Sequence, residues 1–550
     1  MAGRRRAALA LTGLAVTLLA APGAGAAART SSHLTDHRLV QAGRPVPYAE
    51  LTGPDAAAVL LRTARAAFVR HGRAAPDFPA APAVTSTTAP QKEPAFVAGT
   101  MPDITGDRID DVFEVQYAPR RFVGRDGRNG KVLWTVDGTD LYGLGYARLG
   151  APARPALLAL SISSGAGAPA TSGARALDLR TGKTLWATSV ATAGVNGYLQ
   201  LDLPEGLLSR TGKADAVLIA RLSFVLTPGI EIGEATPLVL DGANGSTSHT
   251  DTPVAGDDIP ALWALPDLDG DGTDDYGTTV SGDARQLSAR SGATGTVLWS
   301  LPQATSSFFT TMDGIADLDG DRHPDVLVAS YGFDSGGLLG VYGGASGKAV
   351  WTSGTNGGEL LGDINGDGVA DVETEDFSGD AFVFTTWSGR TGKMIWTHRE
   401  VFPRRDSTSI GLWYAGDVDG DHAMDLLFTL DATGGGPEVQ RDVVILGRTG
   451  TTRPAPHGVV PLGAALVGSN AAFLQTRAAL DLTVRTLSKV LWQRHYPVRG
   501  FAQIAFADTG HLSPGGGTDL LLTTFGGDST DLLALAGPTG ALRWRVHATS

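Results

Sequence analysis

Two short strings alternate along most of this chain, and their spacing restricts the fold more than any other feature. The first is acidic. It reads DITGDRIDD at 103–111, DLDGDGTDD at 267–275, DLDGDRHPD at 317–325, DINGDGVAD at 363–371 and DVDGDHAMD at 417–425. The last four share the pattern D-x-[DN]-G-D-x-x-x-D, and the first departs only at Thr105. The second string ends in tryptophan. It reads RNGKVLW at 128–134, RTGKTLW at 180–186, GATGTVLW at 292–299, GASGKAVW at 344–351, RTGKMIW at 390–396 and PTGALRW at 538–544. Weaker relatives are GANGSTSH at 242–249, GRTGTTRP at 447–454 and TLSKVLW at 486–492.

In every strong copy a glycine precedes the tryptophan by four residues. Those glycines and their counterparts fall at 130, 182, 245, 295, 347, 392, 450 and 540, with Ser488 between the last two, at a mean interval near 51 residues. Between them lie short apolar runs split by glycine turns. In 317–354, for example, the acidic loop leads into VLVAS, a Ser-Gly-Gly turn into LLGVYG, and an Ala-Ser-Gly turn into KAVWTSG. With the run that enters the loop, this makes four strands per unit. Four-stranded units at a period of about 40–50 residues are the blades of a β-propeller. The glycine of the turn supplies the positive φ that a tight hairpin needs, and the tryptophan is expected to pack between adjacent blades. Nine units can be counted. The one around Ser488 is short and has no acidic loop, so eight blades is the central expectation, with seven to nine allowed. The all-β propeller is placed at 94–550. Ala95 to Gly99 resembles the strand ahead of each acidic loop, and pairing of strands from both chain ends is one way to close the ring.

The acidic loops have the chemistry of a hard-cation site. Oxygens at positions 1, 3, 5 and 9, with the backbone carbonyl at 7, can surround one ion, and the flexible all-oxygen set points to Ca²⁺ rather than octahedral Mg²⁺. The candidate ligands are Asp267, Asp269, Asp271 and Asp275; Asp317, Asp319, Asp321 and Asp325; Asp363, Asn365, Asp367 and Asp371; and Asp417, Asp419, Asp421 and Asp425. Asp103, Thr105, Asp107 and Asp111 form a weaker fifth set. Several like charges in one loop repel unless a cation sits among them. The stretches 202–215 and 508–519 keep terminal acids but lose the spacing, and are expected to be metal-free. The twelfth-position Glu of an EF-hand is absent.

These loops resemble those of FG-GAP (VCBS-type) repeat proteins, of which the integrin α-subunit propellers are members. The resemblance spans roughly residues 95–550. It implies a propeller with structural Ca²⁺ in the loop between the first two strands of a blade. The TGK-x-x-W string is similar to the tryptophan docking motif of quinoprotein (PQQ-type) propellers, which ties blades together. The expected role is a calcium-binding interaction module for a protein or glycan. Two alternatives stand beside it: a PQQ-dependent dehydrogenase-like or other propeller enzyme, and a scaffold for envelope assembly.

Composition removes other classes. The chain has no Cys, which excludes disulfides, zinc-thiolate centres and a Cys nucleophile. A formal charge of −13 argues against nucleic acid as partner. Residues 1–28 read as a secretory signal, with Arg4, Arg5 and Arg6 ahead of an apolar stretch from Leu9 to Ala21 and a small-x-small site at Ala24-Gly25-Ala26. That stretch is too short for an ordinary membrane span, so a secreted or cell-surface protein with no span in the mature chain is expected. Removing the three arginines takes the charge from −13 to −16. Residues 29–93 read as an extension, with helical spacing over 54–72 and an Ala/Pro-rich linker at 74–91. No H-E-x-x-H, G-x-S-x-G or P-loop string occurs. His323 and His422 are read as solvated, Glu373, Glu375 and Asp376 as a hydrated strand end, and Trp263, Trp387 and Trp413 as blade packing rather than a pocket lining.

Overall fold

The computed structural model describes residues 96–549, apart from short interstrand stretches of which 191–198 and 463–471 are the longest. The expected signal at 1–28 and the extension at 29–93, with its helix, lie outside the described residues. Within them the chain forms nine antiparallel sheets in strict sequence order and no helix. They are blades 1 to 9, spanning 96–137, 141–190, 199–255, 262–302, 307–353, 359–401, 407–454, 459–495 and 503–549. Eight are four-stranded. The third has six strands, because Leu199–Leu201 and Val254–Ala255 add to its two long central strands. The propeller therefore has nine blades, at the upper edge of the expected range. The short unit around Ser488 is a genuine blade: Asp481–Arg485 pairs with Val490–His495 across a two-residue turn. So short a turn, closed by the Thr486 N–H on the Lys489 carbonyl at 2.8 Å, does not use the glycine of the longer turns.

The hairpin between the third and fourth strands recurs with one geometry. In blade 1 the Asp126 carbonyl accepts the N–H groups of Asn129 and Gly130, and Gly130 takes φ +73°. Register then slips by one residue, so that Gly124 faces Trp134 while Arg125 faces Val132. This is a type I turn followed by a glycine bulge. The same slip precedes the tryptophan in blades 2, 4, 5, 6, 8 and 9. It turns each ring toward the next blade, as the sequence predicts.

The core lies between blades, not within them. Trp263, Leu265, Leu287, Ala289 and Trp299 of blade 4 pack on Met312, Val326 and Val328 of blade 5. Fully burying one such side chain contributes roughly 1.5–3 kcal/mol, so each joint is a substantial source of stability. Trp263, Trp387 and Trp413 all belong to these interblade clusters. Among the described residues the ring does not close by mixing strands from both ends. Blade 1 is built wholly from 96–137 and blade 9 wholly from 503–549. Closure is a joint like the others, with Phe96, Ala98 and Val112 packed on Leu521, Leu532 and Trp544.

Candidate metal loops and the blade joints

Each acidic loop connects the first two strands of its blade, on the same side of the ring as the glycine turn between strands three and four. In blade 4 the Asp267 carboxylate accepts the N–H groups of Gly270 at 2.7 Å, Asp271 at 3.1 Å and Gly272 at 2.9 Å. Asp271 accepts that of Thr273 at 2.8 Å. Blades 1, 5, 6 and 7 repeat this with Asp103, Asp317, Asp363 and Asp417 as the first acceptor. Such side-chain-to-backbone bonds hold the loop in a tight coil. Position 4 is always Gly with φ near +80°. Position 6 is also left-handed, and three blades force a side chain into it: Arg108, Arg322 and His422 have φ of 68°, 76° and 66°. The sequence pattern leaves position 6 free and so does not reveal that constraint.

Three of the five loops bring three carboxylates together, with oxygens within 4.8 Å of one another: Asp267, Asp269 and Asp271; Asp317, Asp319 and Asp325; and Asp417, Asp419 and Asp425. All donors are oxygen, as a hard cation requires. Asp275, Asp321 and Asp421 stand outside these groups. The sets Asp363, Asn365, Asp367, Asp371 and Asp103, Thr105, Asp107, Asp111 give no such three-acid group among the described residues. In blade 6 the Asn365 amide donates to Asp371 at 2.9 Å. In blade 1 the Thr105 hydroxyl donates to Asp103 at 3.1 Å.

The ninth-position aspartates are buried and do a second job. Asp371 accepts the N–H of Ile364 on one oxygen and that of Gly389 on the other. Asp111, Asp275, Asp325 and Asp425 likewise clamp the loop to the glycine that opens the next turn, Gly127, Gly292, Gly344 and Gly447. In blades 5, 6 and 7 that glycine's carbonyl accepts the indole N–H of the preceding blade: Trp351 on Gly389 at 2.8 Å, Trp299 on Gly344 at 2.6 Å and Trp396 on Gly447 at 2.5 Å. Loop, turn and neighbouring blade are thus one connected unit. Burial drives the acid pKa upward, to about 7 for Asp275 and Asp371 and about 6 for Asp111 and Asp425, with neighbouring loop carboxylates adding to it. Burial also raises Asp325. Asp103 goes the other way: burial pushes it up, but bonds from the Arg108, Gly106 and Asp107 N–H groups and the Thr105 hydroxyl outweigh that.

Arginines divide the loops into two kinds. The residue after the turn glycine is Arg128, Arg390 and Arg448 in blades 1, 6 and 7. Arg128 reaches Asp107 at 3.0 Å, Arg390 reaches Asp367 at 3.6 Å and Arg448 reaches Asp421 at 3.2 Å. In blades 4 and 5 Ala293 and Ala345 stand in that place.

The histidines in the loops differ. His422 is 95% exposed at its side chain. His323 is half-buried, and its Cε1 would lie 2.9 Å from a Cβ placed on Gly270 of the preceding loop. The expectation of a hydrated strand end fails for Glu373, which is 1% exposed and pairs in register with Glu359, itself 9% exposed. Glu359 lies in a two-residue strand with no alternation to read, so the sequence did not mark it. Glu375 is half-buried and Asp376 exposed.

No family model matches the chain, and no curated protein does. Among solved structures it is similar to BamB from Moraxella catarrhalis, at 15% identity and TM-score 0.31 over 71% of this chain and 94% of that one. It is also similar to the rhamnogalacturonan lyase PL11 of Bacillus licheniformis, at 14% identity and TM-score 0.34 over 69% and 78%. The quinohemoprotein alcohol dehydrogenase of Comamonas testosteroni aligns at 10% identity and TM-score 0.32 over 63% and 67%. Likenesses this distant bear on neither ligand nor chemistry.

Proposed function

We propose that this chain is an exported, calcium-stabilised propeller that serves as a binding module for a protein or glycan outside the cell. The observation that carries the calcium reading is the convergence of three carboxylates within 4.8 Å in each of the loops of blades 4, 5 and 7. Three negative charges at that separation repel strongly unless a cation joins them. Because the loops of blades 5 and 7 are tied through their ninth aspartates and turn glycines to the preceding blades, an ion there would stiffen the joints as well as the loop. The ring then offers one rigid face of ordered loops to a partner.

Calorimetric melting of the mature protein with Ca²⁺ and with chelator tests this. An ion that binds only the native state raises the melting temperature with concentration. The expected result is a marked fall in chelator, and a smaller response in Asp319→Asn and Asp419→Asn variants. Identical melting in both solutions sinks the calcium reading and makes reconstitution with PQQ the next assay.

A further inference from the structure

Seven of the nine joints are made alike among the described residues. Trp134, Trp186, Trp299, Trp351, Trp396, Trp492 and Trp544 each donate an indole N–H to a turn carbonyl of the next blade, on Leu179, Gly242, Gly344, Gly389, Gly447, Gly537 and Gly127. Two joints depart from this. Between blades 7 and 8 the tryptophan position is Pro454, and Trp413 packs into that joint from the inner strand instead. Between blades 3 and 4 the position is His249.

His249 sits where the indole would. A Cβ placed on Gly295 would lie 2.6 Å from its Cδ2, as those on Gly347 and Gly392 would meet Trp299 and Trp351. Its ring stacks on Tyr276 of blade 4 at 6.2 Å between centroids. Both ring nitrogens are enclosed, and neither makes a hydrogen bond. The smaller ring fills the place of the indole but does not make its bond to the next blade. The charged and titratable groups around it come from both blades. Asp251 lies on its own side, where it accepts the Tyr276 hydroxyl at 2.7 Å and pairs with Arg290 of blade 4 at 3.4 Å. Arg210 pairs with Asp241 at 3.3 Å. A proton arriving on His249 therefore enters an enclosed site with two guanidinium groups near it, and Asp251, the carboxylate beside it among the described residues, is already engaged twice.

We propose that the joint between blades 3 and 4 is a proton-operated weak point of the ring: protonation of His249 loosens it while the tryptophan joints hold. Burial holds the imidazole below the ordinary histidine pKa; Asp251 pulls it up, and Arg210 and Arg290 press it down. A base whose native pKa is lowered contributes stability above its unfolded value, near 6.5, that is lost as pH falls below it. The joint adjoins the acidic loop of blade 4, since Tyr276 follows Asp275 and Asp275 takes the Gly292 N–H of the facing turn at 2.8 Å, but the device itself needs no calcium in that loop.

Hydrogen exchange on the full mature chain tests it, at about pH 7.5 and about pH 5, with rates corrected for intrinsic pH dependence. Segments 242–250 and 291–299 report the joint between blades 3 and 4, and segment 344–351 reports a tryptophan joint. The expected result is a loss of protection at the lower pH confined to the first two segments. It should disappear in His249→Trp, which restores the indole, and in His249→Phe, which keeps a ring without a proton site. Equal loss at both joints overturns the proposal, as does an unchanged pH response in either folded variant. Wild-type protein alone can overturn it if both variants fail to fold, since undiminished protection at the lower pH is sufficient.

Discussion

The indole N–H of Trp544, in the last strand, donates to the carbonyl of Gly127, in the first blade, at 2.7 Å. The ring closes on that bond and on the packing around it, because among the described residues no strand crosses from one chain end to the other. The Asp110 N–H adds a second tie, to the His511 carbonyl at 2.8 Å. Replacing Trp544 by Phe keeps a ring in the gap but leaves the Gly127 carbonyl without its donor, at an expected cost of about 1–2 kcal/mol. Trp544→Ala also opens a cavity beside Leu521 and Leu532, and about 3–5 kcal/mol is expected. Equilibrium urea unfolding of the two variants checks both values. A Trp544→Ala protein as stable as wild type would show that closure rests elsewhere.

Gly389 illustrates a glycine fixed by contact rather than by dihedral angle. A Cβ there would lie 1.9 Å from the Ala370 carbonyl oxygen, an unyielding backbone atom. The same residue gives its N–H to Asp371 and takes the Trp351 indole on its carbonyl. Gly368, by contrast, has φ +83° and open space around the absent Cβ. Gly368→Ala is expected to cost about 1 kcal/mol of left-handed strain. Gly389→Ala must displace the loop, the turn and the joint together, and is expected to exceed it clearly. Thermal melts of the pair, compared under one buffer, decide whether the ordering holds.

The repeat was legible because its two strings are local. Four or five oxygens at fixed spacing, and a glycine four residues before a tryptophan, need no knowledge of distant contacts. That reading gave the blades, the direction of the indoles and the position of the acidic loops. It discounted the blade around Ser488 because that unit is short and has no acidic loop, yet its third and fourth strands still pair, with Leu487 and Ser488 forming a shorter turn that has no left-handed position to fill. It missed the double duty of the ninth aspartate, because Gly389 and Asp371 meet only once the third strand has folded back. Burial of Glu373 opposite Glu359 was hidden for the same reason. His249 was visible as a weak copy of the motif, but its enclosure by Tyr276 depends on the next blade.

The arginines beside three loops should tune metal affinity. Arg448 places a guanidinium 3.2 Å from Asp421, so a cation in that loop must compete with it. Ala345 occupies the equivalent position in blade 5. Partly exposed pairs of this kind are worth about 0.2–1 kcal/mol, so Arg448→Ala is expected to tighten calcium at blade 7 by up to about fivefold. Ala345→Arg should weaken blade 5 by a similar factor. Isothermal titration with Ca²⁺ reads both changes, and a pair of variants that bind like wild type would mean that the arginines do not reach the ion.

Protonation of the ninth aspartates gives the loops a pH dependence of known sign. Asp275 and Asp371 titrate near 7 in the native state and Asp111 and Asp425 near 6, against an ordinary carboxyl value of 3.8. The native state therefore binds more protons than the unfolded one across this window. Such groups favour folding at low pH, and that contribution is lost as pH rises through 6 to 7. His249 opposes the trend below about 6.5, so the clean window for the carboxyls is roughly pH 6.5 to 8. In chelator the melting temperature is expected to fall as pH rises across it. Asp275→Asn and Asp371→Asn, which cannot ionise, should flatten the slope even though each loses part of its clamp. Excess calcium should flatten it too, because the cation stabilises the charged carboxylates that high pH produces. Melts at three pH values, in chelator and in calcium, separate these effects. A wild-type slope that neither substitution changes would assign the pH dependence to other groups.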